Sequence, residues 1–223
     1  MSSKRRIAIV FGGRSAEHEV SVVSAGAVQK ALDHDRYEPV YIGITREGTW
    51  HLLEQPPALQ PGSSELPGVP ATPGLEVELS RGSKELIGPD GSHRELDVVF
   101  PLVHGPYGED GTIQGMLELA GIPYVGAGVL ASAVGMDKAI QKVLFAAAGL
   151  ATIAHEVVHE REWEEDADAV EARAHDLGFP LFAKPATLGS SVGITKVKDP
   201  RELRPAVEEA LKYSTKALLE RSA

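Results

Sequence analysis

Apolar residues fall in short runs along the chain, and their spacing switches between two periods. Residues 7–11 form an unbroken, largely β-branched stretch closed by Gly12-Gly13, which predicts a buried strand. Helical spacing follows. Ser15 is a candidate cap for a helix over 16–31, with Val20, Val23, Ala27 and Ala31 as its apolar stripe. Further strands are predicted over 38–44, 96–103 and 122–125, with a helix over 112–120. Strands alternating with helices imply a parallel sheet covered on both faces. Between positions 54 and 74, six prolines and three glycines prevent a packed element, so a surface loop or insertion is expected. Pro89-Asp90-Gly91 marks a turn.

After Gly135 the texture changes. Asp137 is a candidate N-cap for a helix over 138–148, and 151–159 is strand-like. Residues 160–176 hold eight acids against two arginines and suit a solvated helix face. Strands at 181–185 and 194–197 flank a Gly/Ser loop. An amphipathic helix over 201–213 and a strand from 217 to 220 complete the pattern, with a domain boundary expected near 126–135.

The composition narrows the class of protein. The 223 residues are 43% hydrophobic and 24% charged, a globular profile that excludes collagen-like, coiled-coil and wholly disordered chains. The absence of cysteine excludes a disulfide scaffold, a thiol nucleophile and a zinc–thiolate site. A net charge of −10 argues against a nucleic-acid surface. The charge-free stretch 119–136 is broken by Gly121, Pro123, Gly126, Gly128 and Gly135, so no membrane span is expected. The apolar run after Lys4-Arg5-Arg6 is too short for a leader peptide.

Several motifs carry candidate chemistry. His155-Glu156-Val157-Val158-His159 fits H-E-x-x-H, but a zinc site needs both histidines on one helical face. In the strand predicted here they stand roughly 13 Å apart. Gly12-Gly13 lacks the remaining glycines of a dinucleotide fingerprint, and no P-loop occurs. Gly189-Ser190-Ser191-Val192-Gly193, with Lys184 before it, suits a phosphate cradle or an ordinary hairpin loop. Glu17 lies just beyond the carboxyl end of the first strand, where open α/β sheets place ligands. It could bind an ammonium group or serve as a helix-capping acid. His104 begins the loop after another buried strand, and alone suits a structural role as well as a functional one.

Taken together these segments resemble the D-alanine–D-alanine ligases of the ATP-grasp superfamily. Four motifs carry the match: F-G-G-R-S-A-E-H-E-V-S (11–21), H-G-P-Y-G-E-D-G-T-I-Q-G-M-L-E (104–118), G-M-D-K (135–138) and K-P-A-T-L-G-S-S-V-G (184–193). The resemblance implies an α/β fold. A Rossmann-like (pre-ATP-grasp) parallel-sheet domain over 1–126 binds the first D-alanine. The first α+β subdomain of an ATP-grasp fold follows over 127–219, with a third domain beginning at 220–223.

The implied reaction is ATP-dependent. One D-alanine carboxylate takes the γ-phosphoryl group, and the amine of a second D-alanine displaces phosphate from the acyl phosphate. The dipeptide serves peptidoglycan synthesis. By resemblance Glu17 binds the first ammonium group, Val20 lines the methyl pocket and His104 lies near the carboxylate. Ser190 hydrogen-bonds to Glu17 and orients the site. Lys138 and Lys184 contact ATP phosphates beneath Gly189, Ser190 and Ser191, Glu220 lies near the adenine, and Glu109 holds its loop. Thr187 stands where many relatives carry a larger polar or basic residue. The ligands for Mg2+ (or Mn2+) are implied in the third domain, so these 223 residues alone are expected to be inactive, a prediction that D-alanine-dependent ADP release would overturn. A cytoplasmic homodimer formed through the first domain is implied as well. The alternatives are a D-alanine–D-lactate or D-alanine–D-serine ligase, another ATP-grasp enzyme, and a non-catalytic ligand-binding fragment.

Overall fold

Strand β1 (Arg5–Gly12) is buried from Ile7 onward and pairs on both edges. It runs parallel to β2 (Tyr37–Ile44) and to β8 (Val98–Pro101), so its side chains alternate between two covered faces. Ile9 and Phe11 meet Val22 and Ala25 of α1 (His18–Ala31), while Ala8 and Val10 join the opposite core with Ile113, Leu117 and Ala120 of α2 (Thr112–Ala120). The computed structural model describes residues 4–60, 62–71 and 74–222. The chain divides into two compact units, Met1–Ala133 and Val134–Ala223.

Among the described residues of the first unit, β3 (Trp50–Leu53) and β4 (Leu75–Glu76) extend the sheet to the order β4-β3-β2-β1-β8. Both added pairings are antiparallel, so the sheet is mixed where a parallel one was predicted. A hairpin can join neighbouring antiparallel strands, and residues 45–49 make that connection between β2 and β3. A small antiparallel sheet of β5 (Glu78–Leu79), β6 (Glu85–Ile87) and β7 (His93–Glu95) caps one core with Leu86. Its β6–β7 turn contains the Pro89-Asp90-Gly91 signal. Residues 122–125 contribute one isolated bridge, Val99 to Tyr124, rather than a strand.

Helix α1 turns a different face inward from the predicted one. Val20 and Val23 are 48% and 43% exposed, and Ala27 and Ala31 also face outward. The buried positions are His18, Ser21, Val22 and Ala25. The polar members of that face have backbone partners, which removes the cost of burying them. Ser15 does not cap the helix with its side chain: α1 starts at His18, and the Ser15 hydroxyl instead accepts the Glu17 N–H at 3.1 Å. The proline-rich segment forms no strand or helix among its described residues, yet it is not a detached loop. Its Val69 is 8% exposed and packs with Ile9, Phe11 and Val22.

The second unit is built on an antiparallel sheet in the order β11 (Thr195–Val197), β10 (Leu181–Pro185), β12 (Lys216–Arg221), β9 (His155–His159). One face is apolar. Leu181, Ala183, Val197, Ala217, Leu219 and Val158 pack against α6 (Ala167–Leu177) and α7 (Leu203–Leu211). The acidic run 160–176 forms a short helix, α5 (Glu160–Glu165), and then α6, which begins where the Asp166 side chain accepts the Ala169 N–H. The other face of β10 and β12 carries Lys184, Lys216 and Glu220 by strand alternation. Helix α3 (Val129–Met136) contains the division between units, and Asp137 caps α4 (Lys138–Ala147) by accepting from Ala139 and Ile140.

Candidate functional site

In the first unit the polar groups gather at the carboxyl end of β1. Gly12 and Gly13 adopt φ of +88° and +97°, and a Cβ at Gly12 would lie 2.3 Å from the Ile44 carbonyl. Only glycine fits that turn without strain. Ser21 fastens three elements there. Its hydroxyl donates to the Leu102 carbonyl at 2.6 Å and accepts the Gly12 N–H at 2.8 Å. Glu17 occupies the N-cap position of α1, where the helix dipole favours a negative charge. The Gly105 backbone packs so closely on it that a Cβ there would meet Glu17 Oε2 at 2.9 Å.

His104 is half-buried, with Nε2 3.2 Å from the Ser24 hydroxyl. Ser24 gives its own proton to Val20 O, so its oxygen accepts from the histidine. Glu109 accepts the Gly105 N–H at 2.7 Å and holds the loop that follows β8. Burial opposes ionisation of Glu19, but the hydrogen bond and charge of Arg46, 2.5 Å away, hold its carboxyl below the ordinary range. Glu17, Val20 and His104 therefore belong to the same corner of the first unit. Val20 lies at its exposed side, where a ligand can reach it.

In the second unit the cations converge beside the loop after β10. Lys138 donates its backbone N–H to Ala186 O at 3.0 Å and its ammonium group to Leu188 O at 2.5 Å. Burial and the like charge of Lys184 lower its pKa, against the opposing pull of Asp137 and Glu220. Ser190 and Ser191 sit at φ of +51° and +60°, a left-handed pair in which side-chain-bearing residues cost roughly 1–3 kcal/mol each. Thr187 donates to the Ser214 hydroxyl at 3.0 Å.

Glu220 binds two lysines, one on each carboxylate oxygen: Lys142 at 2.8 Å and Lys184 at 3.0 Å. Burial raises its pKa, yet the hydrogen bonds and charges of both lysines prevail and keep it low. Lys216 pairs with Asp137, whose carboxyl is likewise held low despite burial.

The sequence reading did not single out Lys142 or Lys216, although a signal for each existed. Lys142 follows Lys138 by one helical turn, and Lys216 shares the strand face of Glu220 by alternation. His155 and His159 lie in β9, an extended strand, as the sequence suggested. Among the described residues no three His, Asp or Glu side chains converge as a metal site. The described residues therefore offer no donor set for the implied Mg2+.

The D-ala D-ala ligase N-terminus model matches residues 6–127, and the D-ala D-ala ligase C-terminus model matches 144–223. The chain is 46% identical to a D-alanine–D-alanine ligase of Streptomyces coelicolor, an alignment covering 96% of this chain and 59% of the relative. It is 48% identical to that of Paenarthrobacter aurescens, covering 99% and 60%. Among solved structures, the D-alanine–D-alanine ligase of Coxiella burnetii superposes with a TM-score of 0.85 at 35% identity, covering 98% of this chain and 64% of that one. The VanG D-Ala:D-Ser ligase of Enterococcus faecalis gives 0.82 at 35%, covering 99% and 63%. The chain thus spans about three fifths of the length of the curated relatives it matches. With one family model covering more than half of its residues, the chain belongs to the D-alanine–D-alanine ligase family.

Proposed function

We propose that the protein carrying this chain joins two D-alanines at the expense of ATP for peptidoglycan synthesis. A carboxylate is a poor acyl donor until phosphate becomes its leaving group, so the first step is phosphoryl transfer to the first D-alanine. Such transfer needs mainly positioning and cationic stabilisation. Lys138 and Lys184 supply the cations, the backbone of Gly189, Ser190 and Ser191 lies over the phosphates, and Glu220 meets the adenine. Glu17 receives the ammonium group of the first D-alanine, with Val20 at its methyl and His104 near its carboxylate. The amine of the second D-alanine then attacks the acyl carbon, the C–O bond to phosphate breaks, and the amine loses a proton.

The observation that carries this reading is the partly buried cation cluster of Lys138, Lys184 and Lys142 beside a left-handed serine loop. The single carboxylate of Glu220 pairs with both Lys142 and Lys184 while Lys138 stands near Lys184, so the cluster keeps excess positive charge that suits an anion. The relatives at 46–48% identity bear the D-alanine–D-alanine ligase name. Likeness to the VanG ligase, at 35% identity, supports a D-serine product more weakly. The reading includes a cytoplasmic homodimer formed through the first unit. No helix among the described residues is long and apolar enough to cross a membrane.

Steady-state kinetics of the intact protein test the assignment. Glu17→Gln should raise KM for the first D-alanine, and Lys184→Ala should impair use of ATP. Unchanged kinetics in both variants would refute the site.

A further inference from the structure

Glu220 is held from two sides, and the two lysines are not equivalent. Lys184 lies near the end of β10, at the root of the loop over 186–193, and its charge is felt by Lys138. Lys142 lies one helical turn beyond Lys138 along α4 and reaches the other carboxylate oxygen. The three side chains of the triad are only 14%, 18% and 13% exposed, for Lys142, Lys184 and Glu220. A carboxylate buried this far is strongly penalised if left without a counter-charge.

We propose that Lys142 is a positioning residue that keeps Glu220 ionised and in place when Lys184 turns from that carboxylate to phosphate. The inference rests on the reading of Lys184 as a phosphate-binding lysine. With Lys142 present, Lys184 can leave Glu220 Oε1 while Oε2 keeps its partner. Without Lys142, Glu220 has Lys184 as its remaining ion-pair partner, and every anion that recruits Lys184 strands a buried carboxylate. The other titratable groups near Glu220 do not replace Lys142. His155 stands opposite it in β9 with Nδ1 3.0 Å from Ile153 O, and the Lys138 ammonium group is given to Leu188 O.

Binding of AMP-PNP in magnesium buffer, measured by calorimetry on the intact protein, tests this through a double-mutant cycle. Lys142→Met should weaken binding about tenfold or more, the scale of one charged hydrogen bond. Lys142→Arg should restore most of the loss. In a Glu220→Gln background, where no buried charge can be stranded, Lys142→Met should change binding by less than about twofold. An equal loss in both backgrounds would mean that Lys142 contacts the nucleotide or only supports α4, and would overturn the proposal. So would no loss in the single variant. If Lys142→Met fails to fold, Lys142→Gln takes its place in both backgrounds and is read in the same way. Lys184→Met separates the two levels. If it leaves AMP-PNP binding intact, the phosphate reading fails and the proposal falls with it. If it weakens binding while Lys142→Met does not, only the role given to Lys142 is wrong.

Discussion

The backbone N–H of Val69 donates to Nε2 of His18 at 2.9 Å, and this bond fastens the proline-rich segment to the start of α1. A nitrogen that accepts carries no proton, so Nδ1 is the protonated one and donates to Gly13 O at 2.6 Å. The ring is 1% exposed. Replacing it with alanine removes both bonds and leaves a cavity in the same place. His18→Ala should destabilise the first unit by about 2–4 kcal/mol in urea unfolding. Hydrogen exchange at Val69 should accelerate with it. A loss below about 0.5 kcal/mol would mean that the segment holds without the histidine.

Ser21 makes a comparable tie between β1 and the end of β8. Ser21→Ala strands the Gly12 N–H and the Leu102 carbonyl, and should cost about 1–3 kcal/mol. Ser21→Cys, a weaker hydrogen-bonding group of similar shape, should fall between alanine and the native residue on the same unfolding curve.

The outward face of α1 predicts the opposite behaviour. Val23 is 43% exposed, so Val23→Lys should leave unfolding stability within about 0.5 kcal/mol. A large loss would show that this face is covered after all.

Asp137 couples stability to pH. Its folded pKa lies below the ordinary value, through Lys216 and two helix amides acting against burial. A lowered folded pKa contributes stability above the unfolded pKa, and that contribution is lost as pH falls through the folded one. Asp137→Ala should therefore cost about 1 kcal/mol or more at neutral pH by removing the cap alone. It should also flatten the fall in stability as the solution is acidified below the ordinary aspartate range. An unaltered slope would remove Asp137 from the acid response.

Where local pattern and tertiary role coincide, the sequence was readable. The β-branched run of β1, the cap at Asp137 and the strands around the serine loop follow from spacing and capping chemistry. The inner face of α1 did not, because its buried positions include a histidine and a serine. Each of them completes its hydrogen bonding with a partner far along the chain, Leu102 for Ser21 at 81 positions and Val69 for His18 at 51. The antiparallel additions to the first sheet escaped for a similar reason: β4 is two residues long and gains its identity from pairing with β3. At the candidate site, Lys138 and Lys184 lie within the quoted motifs, whereas Glu220 follows from the family resemblance beyond them. Lys142 lay outside the motifs quoted and emerged only when α4 was set against β12.

Sheet order also has a consequence for biosynthesis. In the second unit β12 lies between β10 and β9, so the last of its four described strands in chain order occupies an inner position. Until residues 216–221 leave the ribosome, β9 has no neighbour and one edge of β10 stays open. Exposed edges of that kind invite pairing with other chains. A nascent chain paused before residue 216 would leave this unit with open strand edges, whereas the described strands of the first unit all lie earlier in the sequence and can already pair.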